Sequence, residues 1–482
     1  MNPEPQIIQG GMGVAVSDWN LARTVSRLGQ MGVVSGTALD LVMARRLQMG
    51  DPGGNLRRAL AHFPDPGVAK RVLDTYFIEG GKPEKKAFKS IPMYSVDAKR
   101  RSHELAMAGG FAEVWLAKEG HDGVVGINFL EKVQLPTTAI LYGSMLAGVD
   151  YVLVGAGIPR DIPRLIDRLI HHEPTALPVR LLDGAEPTLM HFDPREALDV
   201  RPPELPRPRF LAIIASATLA VSLSRKTPGV DGFIVEGPTA GGHNAPPRGT
   251  MALDAEGQPI YGPRDEVDLG KMRDVGLPFW LAGGKATPGQ LRVALAEGAA
   301  GIQVGTIFAF CEESGLRADI KHRLLAKART GDVDVYTDPL ASPTGFPFKV
   351  VALEGSLSQE EVFQGRERRC DLGYLRDPYE RDDGMLGYRC PSEPIEDYLK
   401  KGGKLEDTVG RKCICNGLLG TIGLGQQRRD FSEPFIVTAG DDLKDLARIL
   451  PAESNYYTVA DVLSYLLDGA VIAEPAQGEP VG

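Results

Sequence analysis

From the N-terminus to about Gly331, short apolar runs alternate with longer amphipathic ones, and Gly, Asp or Pro marks most of the joints. That rhythm is what βα units around a parallel sheet produce. The apolar runs that predict barrel strands are residues 7–9, 33–35, 124–128, 151–154, 210–214, 232–235, 279–282 and 301–304. Eight such runs predict an α/β fold closed as a TIM (β/α)8 barrel, in preference to an open doubly wound sheet. Helical spacing follows most of them, at 18–30 with Ser17 or Asp18 as N-cap, and at 137–147, 160–170 and 288–297. Thr287-Pro288 is a helix start, with Thr as cap and Pro in the first turn.

Three stretches break the rhythm. Residues 39–119 are mostly helical and too long for one barrel connection, so they predict an added helical layer. Residues 182–208, rich in Pro and Asp, predict a hairpin and loop. After residue 330 the βα period stops, and 331–482 reads as a C-terminal extension that wraps the barrel or covers its mouth. The domain expectation is therefore a barrel over 1–330 carrying two insertions, then the extension.

Composition narrows the class. The 482 residues include 57 Gly and 36 Pro, which suits many short connections, and 43% are hydrophobic, as in ordinary globular chains. The formal charge is −9 and no long Lys/Arg run occurs, which argues against a nucleic-acid partner. No apolar stretch reaches the ~18 residues a membrane span needs. The polar start Met1-Asn2-Pro3-Glu4-Pro5 does not read as a leader, and five Cys in so long a chain suggest a reducing compartment, hence the cytoplasm. A homo-oligomer is left open.

Barrels place their chemistry where strands end. The first strand ends in Gln9-Gly10-Gly11-Met12-Gly13, whose glycines let backbone amides approach a flat ligand, although a tight turn needs glycine equally. The third ends in Asn128, able to donate and accept at a ring edge. The sixth is followed by Gly241-Gly242-His243, a histidine able to take or give a proton at the barrel mouth. The seventh and eighth end in Gly283-Gly284-Lys285 and Gln303-Val304-Gly305-Thr306. Two adjacent glycine loops at these positions predict a phosphate site, with hydroxyls from Thr287 and Thr306 and charge from Lys285.

In this order the motifs resemble the nitronate monooxygenase family (2-nitropropane dioxygenases), which is related to the FMN-dependent enoyl-acyl-carrier-protein reductase II. The resemblance spans roughly residues 1–330 and not the tail. It implies an FMN in the barrel mouth, with Gly10, Gly11, Met12 and Gly13 beside the ring and Asn128 touching it. Gly241 and Gly242 would lie close by. The phosphate would sit on Gly283, Gly284, Lys285, Gly305 and Thr306, with Gln303 and Val304 near. His243 would be the catalytic residue facing the substrate, and its loss is expected to lower turnover by roughly 10²–10⁴. The chain departs from the family after His243, where Asn244-Ala245-Pro246-Pro247-Arg248 opens a long polar stretch to Lys271.

The activity this implies is oxidation of alkyl nitronates with O2. The alternative is reduction or dehydrogenation of acyl thioesters with NAD(P)H. A barrel that kept the fold and lost catalysis is a third possibility. Cys370, Cys390, Cys413 and Cys415 lie in one segment as candidate ligands of zinc or an iron–sulfur cluster. They lack a Cys-x-x-Cys pair, so buried structural thiols are the preferred reading. Gly417–Gly425 lacks a preceding strand and reads as helix packing or turn. His171-His172 reads as a cationic helix end.

Overall fold

A computed structural model describes residues 4–184, 186–452 and 454–467; residues 1–3 and 468–482, at the two ends of the expected barrel and extension, lie outside. Eight parallel strands form the sheet: β1 Ile7–Gln9, β2 Gly32–Ser35, β3 Val125–Leu130, β4 Tyr151–Gly155, β5 Arg209–Ile214, β6 Gly232–Glu236, β7 Phe279–Ala282 and β8 Gly301–Val304. They pair in sequence order from β2 to β8, and β8 returns to β1. The ring is completed between β1 and β2 by a single bridge, Ile8 to Met31. There the Gln9 side chain does the work of a ladder: its amide donates to Val33 O at 3.2 Å, and Val33 N donates to Gln9 Oε1 at 3.0 Å. The protein is thus an eight-stranded TIM barrel, as the eight apolar runs predict.

Ile8, Val33, Leu153, Leu211, Ile234 and Trp280 fill the barrel interior, while a larger cluster packs the strands' outer faces against the helices. Asp18 caps the helix Trp19–Arg27 through Asn20 N and Leu21 N, and Thr287 caps Pro288–Ala296 through Gln290 N, both at predicted starts. The stretch expected to be helical holds Leu39–Gln48, Asn55–Leu60, Pro66–Tyr76 and the long Arg100–Lys118. Arg100–Lys118 meets Thr137–Leu146 at glycine contacts: a Cβ on Gly143 would stand 2.0 Å from Met107 O, and one on Gly110 2.2 Å from Ile140 O. Gly143→Leu is therefore expected to force the helices apart and cost about 1–3 kcal/mol, read as a lower midpoint in urea unfolding.

The expected hairpin starts earlier than predicted, pairing Thr175–Val179 with Thr188–Phe192. The helix Ile414–Thr421 carries part of the tail's glycine run, and Gly417 packs on Ile436. His172 is not an exposed cation; it is buried, with its ring nitrogens at Tyr142 Oη (2.8 Å) and Pro203 O (2.9 Å). Beyond the barrel, Val335–Asp338 pairs antiparallel with Phe348–Val351. That pair lies against the loop after β6, where Lys349 N donates to Gly242 O at 2.9 Å.

Candidate active site

Loops from seven of the eight strand ends, together with the extension, enclose a cavity of about 220 Å³ at the C-terminal face. Its wall contains Gly10, Gly11, Met12, Gly13, Asn128, Gly241, Gly242, His243, Gly283, Gly284, Gln303, Val304, Gly305 and Thr306. The sequence motifs, from Gly10 to Thr306, converge on this one space. Lys285 is not part of the wall: its ammonium turns to Gln290 Oε1 at 3.3 Å. The charge expected at the phosphate loop from this residue is thus directed along the helix that follows β7.

The loop after β1 is held by Ser17, whose Oγ accepts from Met12 N at 2.7 Å. Gly11 lies flat on Asn128, since a Cβ there would come within 2.3 Å of the Asn128 Cβ. At the other end, Gly283 and Gly284 adopt φ of +83° and +62°, the left-handed region that glycine enters freely. The amides of Gly283, Gly284 and Gly305 donate to no group among the described residues. Gln303 Oε1 is buried without a hydrogen-bond partner among them. Unpaired donors and an unpaired acceptor around a cavity are costly unless a ligand completes them. Amides for a phosphate and an amide oxygen for a ring N–H or a hydroxyl form a donor set that fits a flavin mononucleotide. Asp442 opposes an anion there; burial first, then Asp445 and Asp441, push its carboxyl up to about 6. A phosphate beside it would favour its protonated form further.

The extension supplies contacts that no local sequence signal marked. Thr438 Oγ1 accepts from Gly242 N at 2.8 Å, Thr306 Oγ1 accepts from Gly440 N at 2.8 Å, and Thr239 O accepts from Asp441 N at 3.0 Å. Ser342 Oγ lies 2.7 Å from His243 Nε2 and 2.9 Å from Thr344 Oγ1, and accepts from Thr344 N at 3.3 Å. Two arrangements satisfy these contacts: Ser342 donates to Nε2 and Nδ1 carries the ring proton, or Nε2–H donates to Ser342, which donates to Thr344 Oγ1. Phe348 packs edge-on against the imidazole at 4.8 Å. Burial first, then the Lys132 cation, lower the His243 pKa to about 3, so the ring stays neutral. Lys132 is itself unusual: its buried Nζ has no hydrogen-bond partner among the described residues, lies 2.7 Å from the Phe346 ring centre, and is lowered by burial to about 7.

The four candidate metal ligands lie together in the extension. Cys370, Cys390, Cys413 and Cys415 do line one space, but it measures about 10 Å³, room for at most one water and none for an iron–sulfur cluster. Burial raises all four thiols above their ordinary range. Among the described residues no three His, Cys, Asp or Glu are arranged to hold a metal ion. Cys415 also faces the larger cavity, so these thiols form the partition between the extension's core and the site.

Residues 207–338 match the family described as nitronate monooxygenase, covering β5 to β8 with His243 and both glycine loops. This agrees with the resemblance carried by the ordered motifs. A curated relative, (3aS,4S,5R,7aS)-5-hydroxy-7a-methyl-1-oxo-octahydro-1H-indene-4-carboxyl-CoA dehydrogenase of Rhodococcus jostii (strain RHA1), is 35% identical over 99 residues, 20% of this chain. The match spans only 24% of that relative's length. Among solved structures, FabK from Thermotoga maritima aligns with a TM-score of 0.40 at 19% identity, over 75% of this chain and 76% of its own. Nitroalkane oxidase from Streptomyces ansochromogenes aligns at 0.44 and 16% identity, over 96% of each chain. Among the described residues no helix is long and apolar enough to cross a membrane.

Proposed function

We propose that this chain is an FMN-dependent oxidoreductase of cytoplasmic small molecules, and that its substrate is an alkyl nitronate oxidised with O2. The observation that carries the reading is the set of unpaired amides at Gly283, Gly284 and Gly305 around one cavity, within a segment that matches the nitronate monooxygenase family. Gly10–Gly13, Asn128 and Gln303 would hold the ring, and the two glycine loops the phosphate. When bound, FMN supplies the redox chemistry. The chain's own residues bind and orient: with its proton on Nδ1, neutral His243 donates a hydrogen bond to a nitro or carbonyl oxygen. Ser342 and Phe348 fix the ring's position and tilt. The part of the extension that holds Ser342, Thr438 and Gly440 covers the barrel mouth and keeps water from the reacting carbon, a role supported by the contacts of these three residues.

The purified protein is expected to be yellow and to consume oxygen with a propionate-3-nitronate-type substrate. A yellow protein that turns over no nitronate removes this substrate and leaves the cofactor assignment standing. A second reading, an acyl-thioester reductase or dehydrogenase using NAD(P)H, is favoured by two observations. One is a further chamber of about 260 Å³ beyond His243, able to take a larger substrate. The other is the partial likeness to a CoA-thioester dehydrogenase. Oxidation of NAD(P)H driven by an enoyl thioester, or bleaching of the flavin by a saturated one, would decide for it.

A further inference from the structure

Two cavities meet at one carboxyl. The further chamber lies under the loop 244–268, and Ala156, Ile213, Glu236 and His243 line both it and the flavin chamber. Of these four, only Glu236 and His243 can carry a proton. Glu236 is the last residue of β6, at the face of the barrel where the other site residues end their strands. Its carboxyl has neither a hydrogen-bond partner nor an ion pair among the described residues. Partly buried between the two chambers, a carboxylate there is less well solvated than in water. Burial, the sole cause acting on it, raises its pKa to about 7, whereas His243 is lowered to about 3. A base whose conjugate acid ionises that low is poorly matched to neutral pH, while a carboxyl poised near 7 is well matched.

We propose that Glu236 is the proton-transferring residue of this site, acting from the wall between the flavin chamber and the side chamber, with His243 lining the same two chambers. This rests on the flavin-site reading above. The Glu236 carboxylate takes H⁺ from the carbon next to the nitro group of a neutral nitroalkane, making the nitronate that is then oxidised, or from the carbon next to a thioester carbonyl. The C–H bond breaks, an O–H bond forms on Glu236, and the bonding pair stays on the substrate as a nitronate or enolate. No electron leaves the substrate in this step, and the reverse step returns the proton. The side chamber gives the proton an exit, because its rim carries the polar groups Arg248, Tyr261 and Asp265. The other ionisable groups of the flavin chamber are Asp442, Tyr374 and Cys415. None of these six shifts Glu236, so its titration should follow its own burial.

The test is hydrogen exchange without redox. Flavin-loaded protein is incubated anaerobically in D2O with a primary nitroalkane, and loss of the α hydrogens is followed by proton NMR. Wild type is expected to exchange at a rate that rises with pH through one ionisation near 7. Glu236→Gln should exchange about 10²–10⁴-fold more slowly with its flavin spectrum retained, and Glu236→Asp should recover part of the rate. Exchange by E236Q at the wild-type rate overturns the proposal, as does a yellow wild-type protein that exchanges nothing. If E236Q fails to fold, the wild-type profile decides, and a rate without an ionisation near 7 is fatal. Full exchange in E236Q with none in H243A would return the proton to His243. Because the exchange moves no electrons, failure of the flavin reading shows separately, as a colourless protein.

Discussion

Gly283→Val is expected to give a folded protein that has lost its flavin. At φ +83°, Gly283 occupies a conformation that costs an L residue about 1–2 kcal/mol, and a β-branched one the most. A Cβ there would also stand 3.0 Å from Thr239 Oγ1 and 3.1 Å from Gly237 O, so the loop must move. The fold tolerates this because the loop lies outside both core clusters around the strands. The site does not, because the amides of Gly283 and Gly284 then no longer aim into the cavity. Each hydrogen bond to a charged group contributes about 1.5–3 kcal/mol, so losing two weakens FMN by roughly 10²–10⁴-fold. Gly276→Ala is the control: Gly276 also has a positive φ, but its Cβ would meet nothing within 4 Å, and it lines no part of the site. Quenching of flavin fluorescence gives the dissociation constant of each. A G283V protein that binds FMN as tightly as wild type would mean that the anion is held elsewhere.

This loop was legible in the sequence because its chemistry is local: two glycines after a strand and a Thr-Pro helix start state their own geometry. The eight barrel strands were legible for a related reason. Each is a short run of buried residues bounded by Gly, Pro or Asp, and the observed edges differ from the expected ones by no more than two residues. The hairpin strand Thr175–Val179 was less visible, since Pro178 within it reads as a breaker; the strand tolerates it because it lies at the edge of a two-stranded ribbon. What no local pattern encodes is pairing across the chain. Ser342 reaches His243 over 99 residues, and Gly440 reaches Thr306 over 134. Glu236 was passed over for the same reason: one acidic residue at a strand end carries no signal until the structure shows it facing two cavities without a partner. Lys285 illustrates the opposite error. A lysine beside a phosphate loop suggests a charge contact, but the helix that begins at Pro288 offers its side chain Gln290 instead.

Arg46→Ala is expected to destabilise the fold by about 3–5 kcal/mol, with a loss that depends on pH. Arg46 donates to Glu113 Oε1 at 2.6 Å and to Asp18 Oδ2 at 3.0 Å, and both carboxyls are buried. Burial works against the guanidinium, but Glu113 and Asp18 outweigh it and hold it charged. The carboxyls fare differently: burial raises both above their ordinary values even with Arg46 present to lower them. A carboxyl raised on folding binds its proton more tightly in the native state. Its contribution to stability is therefore present at low pH and is lost as pH rises through the folded pKa. Removing Arg46 takes away the lowering influence and raises both carboxyls further. The variant should thus be weakest at neutral and alkaline pH and recover part of the loss on acidification, as Asp18 and Glu113 take up protons. The effect should also reach the site. Asp18 caps the helix Trp19–Arg27 directly after Ser17, the residue that holds Met12 N, so a loosened cap frees the first glycine loop and weakens flavin binding. Urea unfolding compared between acidic and alkaline buffer would measure the difference. An equal loss at both would mean that Arg46 acts through packing of its alkyl chain and not through the two charges it neutralises.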